Sequence, residues 1–271
     1  MRVTDPIVGK LDQGLIFCCA KAERYRTKEV FGVVITARCD IEQKKFPILN
    51  YIPVTHFKDW LNVDGFDILR ERSKRNENAT FRNCLKNVEL PESLLNTHSH
   101  RDIIEKYHDL IQSKKSKFSD AIAQSCEKIE FLESCTKHNA ESVSQLFTKY
   151  KKEAEIITRE LISHRLSGHY YLPDIEPNAN SNGYVALLRE IRYLPQSLAS
   201  GIASGIDLEA ETEDEWIGYL SSDPTSFAMP VGVLTSPNIE HVLQSVSFLF
   251  GRIGLPDPPP DQVAKLLEQH P

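Results

Sequence analysis

A group of charged residues ends one of the most apolar runs of the sequence. The run is GYVALLREIRYLP at residues 183–195, and it carries Arg189, Glu190 and Arg192 after its valine and leucine residues. Guanidinium groups form forked hydrogen bonds that suit phosphate oxygens, whereas an exposed Arg–Glu pair adds little to stability. On a continuous strand, Glu190 and Arg192 share one face and Arg189 points to the other. This group therefore predicts the rim of a binding or docking surface rather than an active site.

A second group of basic residues lies in the turn between the first two predicted strands. The segment KAERYRTKE at residues 21–29 contains Arg24, Tyr25 and Arg26. Cationic side chains with an aromatic ring among them suit a nucleic-acid backbone and one stacked base. A solvated hairpin loop would have the same composition, so both interpretations stay open.

Arg38, Cys39 and Asp40 directly follow the strongest predicted strand. Arg38 and Asp40 are candidates for phosphate binding or acid–base chemistry, and a Cys39 thiolate beside Arg38 is a candidate nucleophile. Such a thiolate needs a histidine base, and His56 or His169 could supply it after folding. The alternative is a strand end at which Asp40 caps a turn, and for catalysis the sequence favours this alternative.

The histidine and cysteine residues, whose side chains can ligate metals, are poorly spaced in the sequence for a metal site. His98 and His100 in THSH lack an acidic or cysteine partner at a suitable spacing. The six cysteines include no CxxC pair, and Cys126 and Cys135 are nine residues apart. We therefore expect reduced, mostly buried thiols, no metal and no cofactor.

The composition is ordinary for a soluble globular protein, with 41% hydrophobic and 26% charged residues. The net charge of −6 excludes an overall basic field for gripping nucleic acid, although a local basic patch is compatible with it. No apolar run approaches the roughly 20 residues that span a bilayer, and the first residues lack the pattern of a secretion signal. We expect a cytoplasmic protein without membrane contact.

Strand patterns lie at both ends of the chain, with helical patterns between them. The predicted strands are LIFCCA, VFGVVIT and FPILNYIPV before residue 61, and HYYLP, the run at 183–195 and FAMPVGVLTS after residue 168. Residues 101–166 contain no proline or glycine and follow a 3.6-residue period. They predict two helices of about 30 residues, paired as an antiparallel hairpin about 45 Å long. The segment at 64–100 has only weak helical signals, near 66–72.

This order predicts one β domain in two parts, residues 1–61 and 168–255, around a helical insertion at 62–167. A C-terminal helix closes the second part, and residues 256–271 form a proline-rich tail. The acidic segment 207–215 is interpreted as a linker. An arm as long as the hairpin suggests a homodimer contact or a larger protein partner.

Without residues 62–167, the β elements resemble in their order the MazF/PemK family of toxin–antitoxin systems, which are small SH3-like barrels. Arg192 and Leu194 stand where the family has an Arg and an Ile or Leu, and GVLT at residues 232–235 stands where its Gly-x-Leu-Ser precedes the last helix. The resemblance implies an α+β fold, with a small SH3-like β-barrel interrupted by the hairpin and followed by the C-terminal helix. It also implies a bacterial toxin–antitoxin or phage-defence setting.

One departure from the family bears on activity. Some members have Arg-x-Asp-Gln on this strand, and here Leu187, Arg189 and Glu190 occupy the Arg, Asp and Gln positions. An arginine stays charged at neutral pH and cannot replace the Asp in acid–base catalysis. The resemblance thus favours an interaction or nucleic-acid-binding subunit. The alternative is a sequence-selective, metal-independent endoribonuclease with a rearranged site.

The predicted residue sets follow from these observations. Nucleic acid, RNA or DNA, would contact Arg24, Tyr25, Arg26, Arg38, Arg189 and Arg192. Cleavage would involve Arg38, Asp40 and Arg189.

Overall fold

The computed structural model describes residues 2–113, 116–177, 183–208, 218–221 and 227–251. Most of the acidic segment 207–215 and the whole proline-rich tail lie outside these ranges. The strands are β1 Val3–Thr4, β2 Leu15–Phe17, β3 Val30–Val34, β4 Ile48–His56, β5 His169–Leu172, β6 Tyr184–Leu187, β7 Arg192–Pro195, β8 Ile206–Asp207, β9 Phe227–Ala228 and β10 Pro230–Leu234. The helices are α1 Arg38–Glu42, α2 Phe57–Trp60, α3 Phe66–Asn87, α4 His100–Lys106, α5 His108–Ser113, α6 Ser116–Ser134, α7 Ala140–Lys149, α8 Lys151–Ile162, α9 Gln196–Ser204 and α10 Asn238–Phe250.

The protein has an α+β fold built on a strongly curled antiparallel half-barrel sheet, which confirms the predicted class at this level. The strand order is β1-β10-β2-β3-β4-β6-β5, and β7 also pairs with β4. β3 is entirely buried, as its sequence VFGVV predicts, because β-branched and aromatic side chains pack well on a pleated surface. Helices α2 to α8 come between β4 and β5 in the chain.

The run at 183–195 forms two strands instead of the single predicted strand. β6 pairs with the end of β4 through Ala186 and Val54, and β7 pairs with its beginning through Arg192 and Tyr51. These contacts are three residues apart on β4 but six apart on the other chain segment, so residues 188–191 loop out of the sheet. The split therefore depends on a pairing partner more than a hundred residues away in the sequence.

Helices pack against both faces of the sheet. One core cluster joins strand residues such as Leu15 and Val185 to Leu132, Leu146 and Leu161 of the insertion. A second cluster packs strand residues against α10. The helices of the insertion are thus docked on the sheet, a point that the sequence left open.

The described residues of the segment 101–166 do not form the two predicted helices of about 30 residues. The segment at 101–166 forms α4 to α8, and the longest helix is α3, which has 22 residues and only weak helical signals in its sequence. A third core cluster explains the difference, because shorter helices can fold back and bury Ile103 and Ile129 against Phe81 of α3. The gain from burying these side chains favours a compact bundle over a straight hairpin.

Gly232 in β10 lies against the backbone of the loop that follows β5. A Cβ atom there would lie 2.2 Å from the carbonyl oxygen of Ile175 and 2.7 Å from Cγ1 of Val3. We expect Gly232→Ala to lower the free energy of unfolding in urea by about 1–3 kcal/mol, because backbone must move to admit the methyl group. Gly218→Ala is the matched control, since among the described residues no heavy atom would lie within 4 Å of its Cβ. Equal losses for both variants would contradict this prediction.

Candidate nucleic-acid interface

The loop between β6 and β7 forms one wall of an open cleft of 390 Å³, which we call the Arg–Tyr cleft. It is lined by Tyr51, Arg189, Glu190, Ile191, Arg192, Tyr193, Gly218 and Tyr219. The cleft exists because residues 188–191 leave the sheet and stand above the floor that β4 provides. The charged group that ends the run at 183–195 is therefore placed on a concave surface.

Arg192 is held in the Arg–Tyr cleft by two carboxylates. Its Nε donates to Oε1 of Glu190 at 2.5 Å, and its Nη2 donates to Oε2 of Glu23 at 3.1 Å. Glu23 also pairs with Arg26, and its backbone N–H donates to Oε1 of Glu190 at 2.8 Å. The Glu190–Arg192 ion pair is thus present, and Glu23 connects Arg192 of β7 and Glu190 to the turn at residues 21–29.

Arg189 has a different environment in the Arg–Tyr cleft. Its Nη2 donates to Oγ of Ser167 at 3.2 Å, and its side chain lies against Gly168, where a Cβ would be 2.7 Å from Nε. Among the described residues, no carboxylate forms an ion pair with Arg189, so the charge of its guanidinium is not neutralised as that of Arg192 is. Arg189 is therefore a cation that can attract an anionic ligand.

Aromatic rings complete the Arg–Tyr cleft. Tyr193 is 48% exposed and meets Tyr219 edge-on at 5.5 Å between ring centroids. Tyr51 is buried below them, and its hydroxyl accepts from the backbone N–H of Lys21 at 3.3 Å. Burial raises the pKa of Tyr51 to about 12, so this hydroxyl stays neutral near pH 7. Tyr193 is the ring that can stack on a base.

The turn at residues 21–29 faces inward at Tyr25, which corrects the prediction of a stacking ring there. Tyr25 is 1% exposed, and its hydroxyl donates to Oδ2 of Asp64 at 2.7 Å. Arg24 forms ion pairs with Asp64 and Asp67, while Arg26 stays on the surface with Glu23. A buried ring cannot stack on a base, so this turn offers Arg26 but not Tyr25 to a nucleic acid.

Asp64 accepts hydrogen bonds from both Arg24 and Tyr25 and is the centre of this buried polar group, although it is not among the residues predicted from the sequence. It lies in a π-helical turn at Leu61–Gly65, and its side chain is 11% exposed. Burial opposes its ionisation, but interactions with His169 and Tyr25 and the charge of Arg24 outweigh burial and lower its pKa below the ordinary value. One feature of the sequence does indicate a buried acid here, because Asp64 lies inside the apolar run WLNVDGF.

Arg38, Cys39 and Asp40 lie on the short helix α1 rather than in a capped turn. Nε of Arg38 pairs with Asp12 at 3.3 Å, and Sγ of Cys39 lies 3.7 Å from Oδ1 of Asp40. Arg38 and Arg189 thus have separate partners, and no polar contact among the described residues joins the three catalytic candidates.

Neither histidine proposed as a base for Cys39 contacts it. His56 pairs with Glu29 at 2.8 Å, and Nε2 of His169 lies 3.6 Å from Asp64. This corrects the suggested thiolate–histidine arrangement, because folding directs both rings to carboxylates. All six cysteines are free thiols, and Cys39 is the exposed one.

His98 and His100 contact Thr97 and Asn78 rather than each other. In the part of the chain that the structure describes, no group of three histidine, cysteine or acidic side chains is arranged to hold a metal. Within the same ranges, none of the helices combines the length and the apolarity that crossing a bilayer requires.

These features define an α+β protein with a curled antiparallel sheet, a docked helical insertion and an arginine- and tyrosine-lined cleft at the β6–β7 loop. Compared with family models, curated proteins and solved structures, the chain matches none.

Proposed function

We propose that the protein is a diverged MazF/PemK-like subunit that binds single-stranded nucleic acid in the Arg–Tyr cleft. The observation that carries the proposal is that the exposed Tyr193 ring lines the same concave surface as Arg189 and Arg192. The order of the β elements supports the family assignment and, with it, a cytoplasmic role in a bacterial toxin–antitoxin or phage-defence system. A protein partner or a second copy at the helical insertion remains part of this prediction.

Single-stranded nucleic acid fits the cleft better than a duplex does. An unpaired base can stack on the face of Tyr193, and base–aromatic stacking contributes about 1–3 kcal/mol per base. Arg189 and Arg192 would contact the flanking phosphates, for which planar guanidinium groups are suited. In a duplex the bases already stack on each other, so Tyr193 would lose its contact.

The carboxylates around Arg192 limit the strength of the expected binding. Glu23 and Glu190 position the guanidinium, but they also neutralise part of its charge. With two arginines contacting phosphates, the slope of log K against log salt is expected to be about −1.4, from about −0.7 per phosphate of a single strand. The overall charge of −6 agrees with such weak salt dependence rather than with a broad basic surface.

The test is the fluorescence anisotropy of labelled single-stranded RNA, single-stranded DNA and duplex DNA. We expect Tyr193→Ala to lose about 1–3 kcal/mol of binding free energy, and Arg189→Ala to weaken binding and reduce the salt slope by about 0.7. Phe248→Ala and Arg159→Ala are controls, because both residues are exposed on helices that do not line this cleft. No binding at low salt, or variants that bind like the wild type, would refute the proposal.

The same assay separates binding from the endoribonuclease alternative. After incubation the RNA is resolved on a denaturing gel, and we expect it to stay intact. Fragments that disappear with Asp40→Ala or Arg189→Ala would instead favour cleavage by a rearranged site. Arg38 pairs with Asp12, and this contact gives no support to cleavage.

A further inference from the structure

A second cleft lies on the helical insertion, between α3 and the junction of α7 with α8, and we call it the lysine cleft. Its volume is 460 Å³, within the range of about 300–1,000 Å³ that small-molecule sites occupy. It is lined by Ser73, Asn76, Glu77, Lys149, Tyr150, Lys151, Lys152 and Glu153. None of these residues belongs to the Arg–Tyr cleft.

Two buried hydroxyl groups at the lysine cleft have no hydrogen-bond partner in the part of the chain that the structure describes. They are Oγ of Ser73, a residue that is 1% exposed, and the hydroxyl of Tyr150. Burial, followed by the charge of Glu77, raises the pKa of Tyr150 to about 12, so its hydroxyl keeps the proton that it can donate. Buried polar groups in folded proteins are almost always paired, so two such donors beside one cleft indicate a missing acceptor.

The electrostatics of the lysine cleft favour an anion as that acceptor. α8 begins at Lys151, has 12 residues and has no side-chain cap at Tyr150, so its first backbone N–H groups lack intrahelical partners. Such a helix start attracts anions, and Lys151 and Lys152 add positive charge at the same point. The ammonium of Lys149 lies 4.1 Å from the ring centroid of Phe131.

The two acids of the lysine cleft are engaged by cations outside its lining. Glu77 pairs with Lys128 at 3.4 Å, and Glu153 pairs with Arg72 at 3.9 Å. Lys151 also approaches Glu155, at 4.0 Å. Among the described residues, these pairs leave Lys149 and Lys152 as the lysines of the lining without a carboxylate partner, and they are the charge excess that a ligand would meet.

We propose that the lysine cleft binds a phosphate-bearing small molecule of nucleotide size. The phosphate contacts the start of α8 and the side chains of Lys151 and Lys152, and the hydroxyls of Ser73 and Tyr150 donate the hydrogen bonds that they now lack. The ligand joins α3 to α8 and stabilises the insertion. This site is independent of nucleic-acid binding in the Arg–Tyr cleft.

The first experiment measures thermal unfolding and calorimetric binding of the full chain with inorganic phosphate, AMP or ATP. Sodium chloride at matched ionic strength is the control. We expect phosphate compounds to raise Tm where chloride does not. Tighter binding of AMP or ATP than of phosphate identifies a nucleotide, and equal binding identifies free phosphate as the ligand. If none of the three binds to the wild type, the proposal is overturned.

The second experiment uses variants that remove a hydroxyl or a charge and little else. Ser73→Ala and Tyr150→Phe are expected to keep or raise Tm, by about 2 °C, because each removes an unpaired buried group. Both variants, and Lys152→Ala, are expected to weaken binding of the tightest probe about tenfold. Lys106→Ala, on an exposed position of α4, is the charge-matched control.

The outcome of these variants separates the two sites. Lysine-cleft variants should bind oligonucleotides like the wild type, and Tyr193→Ala should bind the phosphate probe like the wild type. If Ser73→Ala, Tyr150→Phe and Lys152→Ala all bind the probe as tightly as the wild type, the ligand lies elsewhere and the assignment is wrong.

Discussion

Replacing Asp64 with alanine is expected to lower the free energy of unfolding by about 2–4 kcal/mol and Tm by about 6–12 °C. Asp64 accepts from Arg24 and Tyr25 and lies beside His169. Its removal leaves the hydroxyl of Tyr25 buried without an acceptor, and an unpaired buried donor costs about 1–3 kcal/mol by itself. It also separates the turn at residues 21–29 from the start of the insertion.

The contribution of Asp64 to the free energy of unfolding depends on pH, and the shift of its pKa on folding determines the direction. The folded protein lowers the pKa of Asp64, so the carboxylate binds its proton less readily than in the unfolded chain. Its contribution is therefore fully present above the unfolded pKa of about 3.9, and it is lost as pH falls through the lower folded pKa. Urea unfolding of wild type and Asp64→Asn at pH 7 and pH 3 should give a larger difference at pH 7.

The control for Asp64→Ala is a substitution of Asp59, which lies five residues earlier in the chain. Asp59 pairs with Lys28 at a distance of 3.1 Å, and this pair is nearer the surface. Asp59→Ala is expected to cost less than about 1 kcal/mol, because exposed ion pairs contribute little. If Asp59→Ala destabilised the protein as much as Asp64→Ala, the buried contact would not be the source of the stability.

Replacing Leu161 with alanine is expected to cost about 2–5 kcal/mol, which is the second large effect. Leu161 is fully buried at the end of α8, in the cluster that joins the insertion to the sheet. Alanine leaves a cavity at this contact and removes apolar area from it. The measurement is urea unfolding followed by circular dichroism, where the midpoint should fall without a change in slope.

The neighbouring residue gives a matched control for Leu161. Ile162 is on the same helix but 51% exposed, so Ile162→Ala should change stability by no more than about 0.5 kcal/mol. An equally small effect of Leu161→Ala would mean that the insertion is not docked on the sheet in solution. That result would favour a free arm, on which the sequence left the question open.

The strands could be predicted from the sequence because their cause is local. In β3 the run VFGVV has all five residues buried, and its β-branched and aromatic residues are enriched in strands. The Glu190–Arg192 pair is also local, since a single residue, Ile191, separates its partners. These features, with the α+β class and the absence of an overall basic field, follow from residue types and short spacings.

Contacts between segments that are distant in the sequence determine the features that the sequence did not predict. Tyr25 turned away from the surface because the carboxylate that accepts from its hydroxyl lies 39 residues along the chain, and no local pattern identifies such a partner. In the same way, pairing with the two ends of β4 makes one apolar run into two strands, β6 and β7. Burial in the third core cluster makes short helices of the segment predicted as a hairpin. Periodicity in the sequence determines which side chains must be buried, but only tertiary packing determines which segment covers them.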